Sequence, residues 1–328
     1  MLEPNKVIKW GILGAANIAI ERLIPAMLNS KNTQVLAIAS RSKDKATRVA
    51  EQFNIPRAYG SYKELLKDKD IDAVYIPLPN HMHKEWTVRT AQAGKHVLCE
   101  KPSALNEQEV IEMIKACHEN NVLFMEAFAF RCHPKWHRLK EMMDDGYIGE
   151  INNVQARFSI KVDNQNDIRL DPTKGGGSLY DLGSYCINGI RFIMNDEPLE
   201  VIAISKQSEK NVDLSIGVLM KFSNGRIGQF DCSFEGEYNQ SISITGTKGY
   251  INITWPFRNP VVTIQRNGMQ EKEAFEFQTN AYVSQVEHFN NCILQKETPF
   301  YDFKETIANM RVIDAVYESL KTKTFVKV

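Results

Sequence analysis

From Lys6 to about Phe128 the chain alternates short apolar runs with stretches whose apolar residues recur at helical spacing, and this alternation most restricts the folds open to it. The runs are Val7–Leu13, Val35–Ala39, Ala73–Ile76, His96–Cys99 and Val122–Ala127; Ile18–Leu28, Lys43–Phe53, Lys84–Ala93 and Glu107–Glu119 between them have helical periodicity. Short, uniformly apolar strands separated by helices specify a parallel sheet covered on both faces, the doubly wound α/β arrangement. Beyond Pro134 the character changes. A helix to about Asp145, a strand over Ile151–Val162 and a glycine-rich turn with a helix over Gly175–Met194 come first. Strand-like segments follow near 199–205, 212–222, 226–234, 239–245, 249–254 and 261–265. Their turns, Ser223-Asn224-Gly225, Gly246-Thr247-Lys248-Gly249 and Asn267-Gly268, fit hairpins, so a second α/β domain on a large, mainly antiparallel sheet is expected. Helices Tyr282–Leu294 and Phe303–Leu320 are expected to close that domain. A length of 328 residues suits two domains, divided as 1–128 and 129–328.

Charge excludes several function classes. Forty Lys and Arg balance 40 Asp and Glu, so there is no global positive field for nucleic acid or an anionic membrane. The six cysteines are scattered with no C-x-x-C pair, which reads as reduced thiols, and no apolar run approaches the ~20 residues of a membrane span. A cytoplasmic protein with neither membrane nor nucleic acid as partner is expected.

Gly14-Ala15-Ala16-Asn17-Ile18-Ala19, after the first run, is a variant of the G-x-G-x-x-G turn with alanine at its second and third small positions. The glycine permits a tight turn, and small residues let a pyrophosphate approach the amides at the start of the next helix. A small-residue turn that only packs strand on helix reads the same alone. The strand before it, and Asn17 as a helix cap, favour the nucleotide, with Gly14, Ala16, Asn17 and Ile18 as contacts. The second run ends at Ala39-Ser40-Arg41-Ser42-Lys43, where a dinucleotide fold meets the adenosine ribose. No acid stands there for a ribose 2′-hydroxyl. Arg41 can instead hold a 2′-phosphate, with Ser40 or Ser42 adding a neutral hydrogen bond. NADP is therefore expected over NAD, a solvated basic loop being the alternative. Pro77-Leu78-Pro79-Asn80-His81-Met82-His83 makes a stiff turn where the nicotinamide ribose should lie, and Pro77, Leu78, Asn80 and His83 are assigned to the cofactor. His81 and His83 lack a third ligand, so no metal is expected.

Gly94 to Pro102 reads as a strand that ends by presenting Lys101, which Pro102 holds in extended backbone. A cis bond before Pro102 would turn the lysine sharply off the strand axis. Farther on, Gly175-Gly176-Gly177-Ser178-Leu179-Tyr180-Asp181-Leu182-Gly183-Ser184-Tyr185 joins a triple glycine to a helix with Asp181 and Tyr185 on one face. Gly183 costs that helix about 1 kcal/mol relative to alanine, which close approach by a ligand would explain. On spacing alone an ordinary amphipathic helix, its tyrosine half-buried and its aspartate solvated, is the simpler reading.

Together, Gly14 to Ala19, Pro79 to His83, Glu100-Lys101-Pro102, Met125 to Phe128 with Arg131-Cys132-His133-Pro134, and Gly175 to Tyr185 resemble the Gfo/Idh/MocA oxidoreductase family over nearly the whole chain. The Asp-x-x-x-Tyr pattern is nearest the glucose-fructose oxidoreductase and dimeric dihydrodiol dehydrogenase branch. The resemblance implies a Rossmann domain, an open-faced α/β domain for substrate and subunit contacts, and a cis bond at Lys101-Pro102. It also implies NAD(P)-dependent chemistry on a sugar-like substrate, and homodimers or homotetramers through the open sheet. Carried over by motif, Glu100 and Lys101 meet the cofactor, Tyr185 gives or takes the proton, and Asp181 orients substrate. Arg131, His133 and Arg169 become substrate contacts, although each reads equally as a surface cation. A tyrosine titrates near 10; an ammonium about 4 Å away, at an effective dielectric of about 20, offers roughly 4 kcal/mol toward tyrosinate. The expected function is NADP-dependent hydride transfer to or from a sugar, polyol or cyclic diol. The alternative is a non-catalytic NAD(P)-sensing regulator of the same fold; retention of Lys101 and Tyr185 favours the enzyme.

Overall fold

A computed structural model describes residues 6–258, 260–266, 269–273 and 280–328. In chain order these form β1 (Ile8–Leu13), α1 (Ile24–Leu28), β2 (Thr33–Ala39), α2 (Lys43–Phe53), β3 (Arg57–Tyr59), α3 (Tyr62–Leu66), β4 (Ala73–Ile76), α4 (His83–Gln92), β5 (His96–Cys99), α5 (Glu107–Glu119) and β6 (Phe124–Glu126). Then come α6 (Pro134–Asp144), β7 (Ile151–Lys161), α7 (Ser184–Met194), β8 (Glu200–Gln207), β9 (Asp213–Lys221), β10 (Ile227–Ser233), β11 (Glu235–Gly246), β12 (Gly249–Thr254), β13 (Val261–Arg266) and β14 (Met269–Glu273). The chain closes with α8 (Ala281–Gln295), α9 (Phe303–Thr322) and β15 (Val326–Lys327). The expected turn Asn267-Gly268 lies outside the described residues. The described residues fall into two compact units, 6–133 with 280–306, and 134–273 with 307–328.

The first unit is built on a six-stranded sheet in the order β3-β2-β1-β4-β5-β6, every pair parallel. This is the strand order of a Rossmann fold, whose chain reverses direction across the sheet between β1 and β4. All four residues of β4 are buried, which explains why the run is apolar without alternation. Capping sets the helix starts. The Ser42 hydroxyl accepts from Lys45 N at α2; at α5 the Asn106 side chain accepts from Glu109 N at 2.9 Å while Glu109 reaches back to Leu105 N at 3.1 Å. The stretch expected as one helix over Ile18–Leu28 contains a π-helical turn at Ala19–Leu23 before α1. Pro25 lacks the amide that would bond back one α-turn, so the wider turn is tolerated there. The first core includes Trp10, Ile12, Tyr75 and Leu98, together with Val286 and Phe289 of α8. Trp10 Nε1 donates to Asn290 Oδ1 at 3.1 Å, and its ring lies 5.3 Å from Phe289. Thus α8 packs into this unit, rather than closing the second as its position in the sequence suggested.

The second unit centres on a nine-stranded sheet, β14-β13-β12-β11-β7-β10-β9-β8-β15. Only β7 and β10 run parallel among its paired strands; the other described pairs are antiparallel. α7 packs over β7 and β10. Residues of β10 alternate accordingly, Gly228, Phe230 and Cys232 buried toward the helix and Ile227 exposed on the other side. That outer face also carries Leu219 and Ile204, and an Arg157–Asp231 ion pair at 2.8 Å.

Candidate active site

The carboxyl ends of β1, β2, β4 and β5 collect the residues that the sequence assigned to a nucleotide. Gly14 follows β1 with φ of 128°, a backbone state that an L side chain rarely adopts. A Cβ there would stand 3.1 Å from Leu78 Cδ2 and 3.6 Å from Pro77 O, so the turn after β1 and the turn after β4 meet where the strand order reverses. Asn17, expected as a cap, is instead an exposed residue within the helix; the first bond of that helix runs from Ile20 N to Ala16 O at 3.1 Å. The amides of Asn17 and Ile18 precede it, as an anion-binding helix start requires. Ser40 is buried and its Oγ accepts from Ser42 N, while Ser42 caps α2. Arg41 is exposed beside the Tyr62 phenol, whose pKa burial raises and the guanidinium lowers again.

After β4, Asn80 opens a short 3-10 turn, and His83 enters α4. His83 does not face outward as a cofactor contact would. It is fully buried, with Nδ1 2.8 Å from Pro102 O and Nε2 2.7 Å from Leu78 O. Burial pushes the ring down to about 4 against the pull of those two carbonyls. The ring is packed between the loop after β4 and the turn after β5, and in its neutral form it donates to one of the two carbonyls.

That turn contains the cis Lys101-Pro102 bond and is fixed on all sides. The Tyr75 hydroxyl donates to Glu100 Oε1 at 2.6 Å, Lys101 N donates to Glu100 Oε2 at 3.3 Å, and Ser103 N donates to Glu126 Oε1 at 2.9 Å. Lys101 itself is half-buried. Sequence reasoning missed Tyr75 and Glu126. The signal for Glu126 was there, since it is the one acid inside the apolar run Val122–Ala127. Arg131 and His133, expected as substrate contacts, are 5% and 1% exposed. Arg131 faces Glu305 at 3.6 Å and the Tyr301 ring at 5.2 Å, both in its own unit, so its charge is already matched.

In the second unit a π-helical turn, Leu179–Gly183, leads into α7 and carries Asp181; Tyr185 lies one turn on. Asp181 Oδ2 accepts from Arg169 Nε at 2.7 Å and holds the guanidinium above its ordinary pKa, so two residues assigned separately to substrate are paired with each other. Tyr185 is half-buried among Phe158, 5.7 Å away, and Phe257, 5.1 Å away. Gly183 is there for packing, not for a ligand. A Cβ would lie 2.8 Å from Leu179 Cδ1 and 3.3 Å from both Cys232 Sγ and Phe230 Cε2, so the helix seats directly on β10. The start of this helix is held by Asp213, which accepts from Leu179 N at 2.7 Å, Ser178 Oγ at 2.9 Å and Tyr317 Oη at 3.0 Å. Nothing local marks Asp213 in the sequence, because its partners are distant in the chain.

Known proteins share this architecture. The chain is 34% identical over 319 residues to D-xylose 1-dehydrogenase (NADP(+)) 2 of Haloferax volcanii, covering 95% of this chain and 97% of that one. It is 31% identical over 324 residues to a trans-1,2-dihydrobenzene-1,2-diol dehydrogenase of Xenopus tropicalis, covering 95% and 98%. The aldose-aldose oxidoreductase of Caulobacter crescentus, solved with glycerol, superposes with a TM-score of 0.93 at 25% identity, covering 98% and 100%. The model for the oxidoreductase family with an NAD-binding Rossmann fold matches residues 8–128, and that for the family's C-terminal domain matches 136–252. This chain belongs to the Gfo/Idh/MocA oxidoreductase family.

Proposed function

We propose that this protein moves a hydride between NADP and a hydroxyl or carbonyl carbon of a sugar, polyol or cyclic diol. The observation that carries the reading is the Lys101 turn, clamped by buried polar side chains at the carboxyl edge of a sheet with dinucleotide-binding strand order. The residues present fit the cofactor. A glycine turn that a Cβ would fill lies at the switch point, helix-start amides follow it, and an exposed guanidinium stands where an acid would select NAD. Names of relatives, NADP-linked xylose oxidation and dihydrodiol oxidation among them, support the same substrate class.

In this proposal residues 1–128 bind the cofactor, with Gly14, Ala16, Asn17 and Ile18 at the pyrophosphate, Ser40 and Arg41 at the 2′-phosphate, and Pro77, Leu78, Asn80 and Glu100 around the nicotinamide ribose. The second unit, rather than the whole of residues 129–328, carries the substrate. The nicotinamide supplies the hydride acceptor or donor. Tyr185 exchanges the proton of the reacting oxygen, Lys101 lowers the cost of tyrosinate, and Asp181, released from or shared with Arg169, orients a hydroxyl. The test is reduced-nicotinamide absorbance with NADP against pentoses, hexoses, polyols and cyclic diols, in wild type, K101M, Y185F and the double mutant. Turnover by the wild type, a loss of about 100-fold or more in each single mutant, and little further loss in the double mutant are expected. Near-wild-type turnover in both single mutants would reject the roles.

A further inference from the structure

The turn that presents Lys101 is held by an acid buried inside a parallel strand. Glu126 is 2% exposed. It pairs with Cys99 across β5 and β6, and its Oε1 accepts from Ser103 N at 2.9 Å. It therefore stands beside the residue two before Lys101 and bonds the residue two after. The groups facing its carboxyl come from three elements: the Cys99 thiol of β5, the Lys101 ammonium of the turn, and the Tyr301 and Thr306 hydroxyls of the segment beyond α8. Lys101 is the cation in this set. Burial outweighs all of them and pushes the carboxyl up to about 8.

We propose that Glu126 is a positioning residue that works as a neutral acid, clamping the Lys101 turn through Ser103 without drawing the ammonium into an ion pair. The inference rests on the role given to Lys101 above. A neutral clamp adds no counter-charge of its own beside the Lys101 ammonium. An ionised Glu126 sets a counter-charge beside the ammonium and offsets its action on the phenol and the reacting oxygen. The proton on Glu126 thus separates two tasks that a surface carboxylate would confuse, holding the lysine and neutralising it. Glutamine keeps both the acceptor for Ser103 and the absence of charge, whereas alanine keeps only the absence of charge and removes the acceptor.

The experiment compares full-length wild type, E126Q and E126A with NADP and whichever sugar or diol the wild type turns over. E126Q is expected to keep kcat within about threefold of wild type near pH 6.5 and to exceed it by about threefold or more near pH 9.5. E126A is expected to lose about tenfold or more in kcat at both, with the KM for NADP changed by less than about threefold. An E126Q enzyme as slow as E126A near pH 6.5, or a ratio of E126Q to wild type that does not vary with pH, overturns the proposal. Thermal unfolding gives a readout independent of turnover. A carboxyl whose folded pKa of about 8 lies above its ordinary 4.5 keeps its proton in the fold while the unfolded chain releases it, so stability falls as pH rises across that interval. E126Q removes this slope, and its Tm relative to wild type should climb by about 2 °C or more between pH 5 and pH 8. A Tm difference that stays flat overturns the neutral-acid assignment, even if no tested substrate is turned over and the functional reading itself has failed.

Discussion

In the proposed function Arg41 is the side chain on which cofactor choice turns. It stands exposed at the end of β2, and its neighbours Ser40 and Ser42 are occupied by each other and by the start of α2. A charge-assisted contact to a 2′-phosphate is worth about 1.5 to 3 kcal/mol, or roughly ten- to hundred-fold in affinity. R41A is therefore expected to weaken NADP binding by that factor while NAD binding changes by less than about threefold, as titration calorimetry with the two nucleotides will show. Equal losses would mean that the guanidinium does not read the phosphate. The place of Arg41 at the exposed end of β2 was legible because one residue at one strand end decides it. The burial of His83, Arg131 and His133 was not legible, because a histidine or arginine in a motif looks alike whether it is exposed or packed into the core, and the packing comes from residues distant in the chain. Pro102 O and Leu78 O claim the ring nitrogens of His83, and Glu305 faces Arg131.

At the scale of elements the helix that carries Asp181 and Tyr185 is set by two contacts that spacing could not reveal. Asp213 fixes its first turn, and Gly183 lets it touch Phe230 and Cys232. G183A forces a methyl into protein atoms already at 2.8 and 3.3 Å, and overpacking of this kind costs about 1 to 3 kcal/mol. A lowered midpoint in urea with an unchanged slope is the expected result; a stability equal to wild type would show that Leu179 and the strand can yield. Elements with strong periodicity were readable almost to the residue, as with α2, β4, β5 and α5. Those without it were not. β3 is three residues long with every side chain half-exposed, and β15 is two residues long, so neither has an apolar run to announce it. β3 is added to its sheet by the preceding strand β2, and β15 by β8, which is remote in the chain.

At the scale of the molecule, the outer face of the nine-stranded sheet joins exposed Ile204, Leu219 and Ile227 to ion pairs such as Arg157–Asp231 and Lys206–Glu235. A sheet face of mixed apolar and charged residues suits association between copies of this chain, the homodimer or homotetramer expected from the sequence resemblance. I204E combined with L219E is expected to shift the sedimentation coefficient of the protein to that of a monomer without lowering its urea midpoint. An unaltered sedimentation profile would place the subunit contact elsewhere.

The contribution of α8 to the first core bears on the order in which the chain can acquire structure. Val286 and Phe289 are fully buried against residues such as Trp10, and burial of such side chains is worth about 1.5 to 3 kcal/mol each. A ribosome must therefore deliver the chain through α8 before the earliest strands receive their last packing partner. A truncated protein ending at His133 should bind a hydrophobic dye and melt over a broad range, and adding α8 as a separate peptide should sharpen the melt. Vectorial synthesis leaves the amino-terminal half provisional until its missing helix arrives.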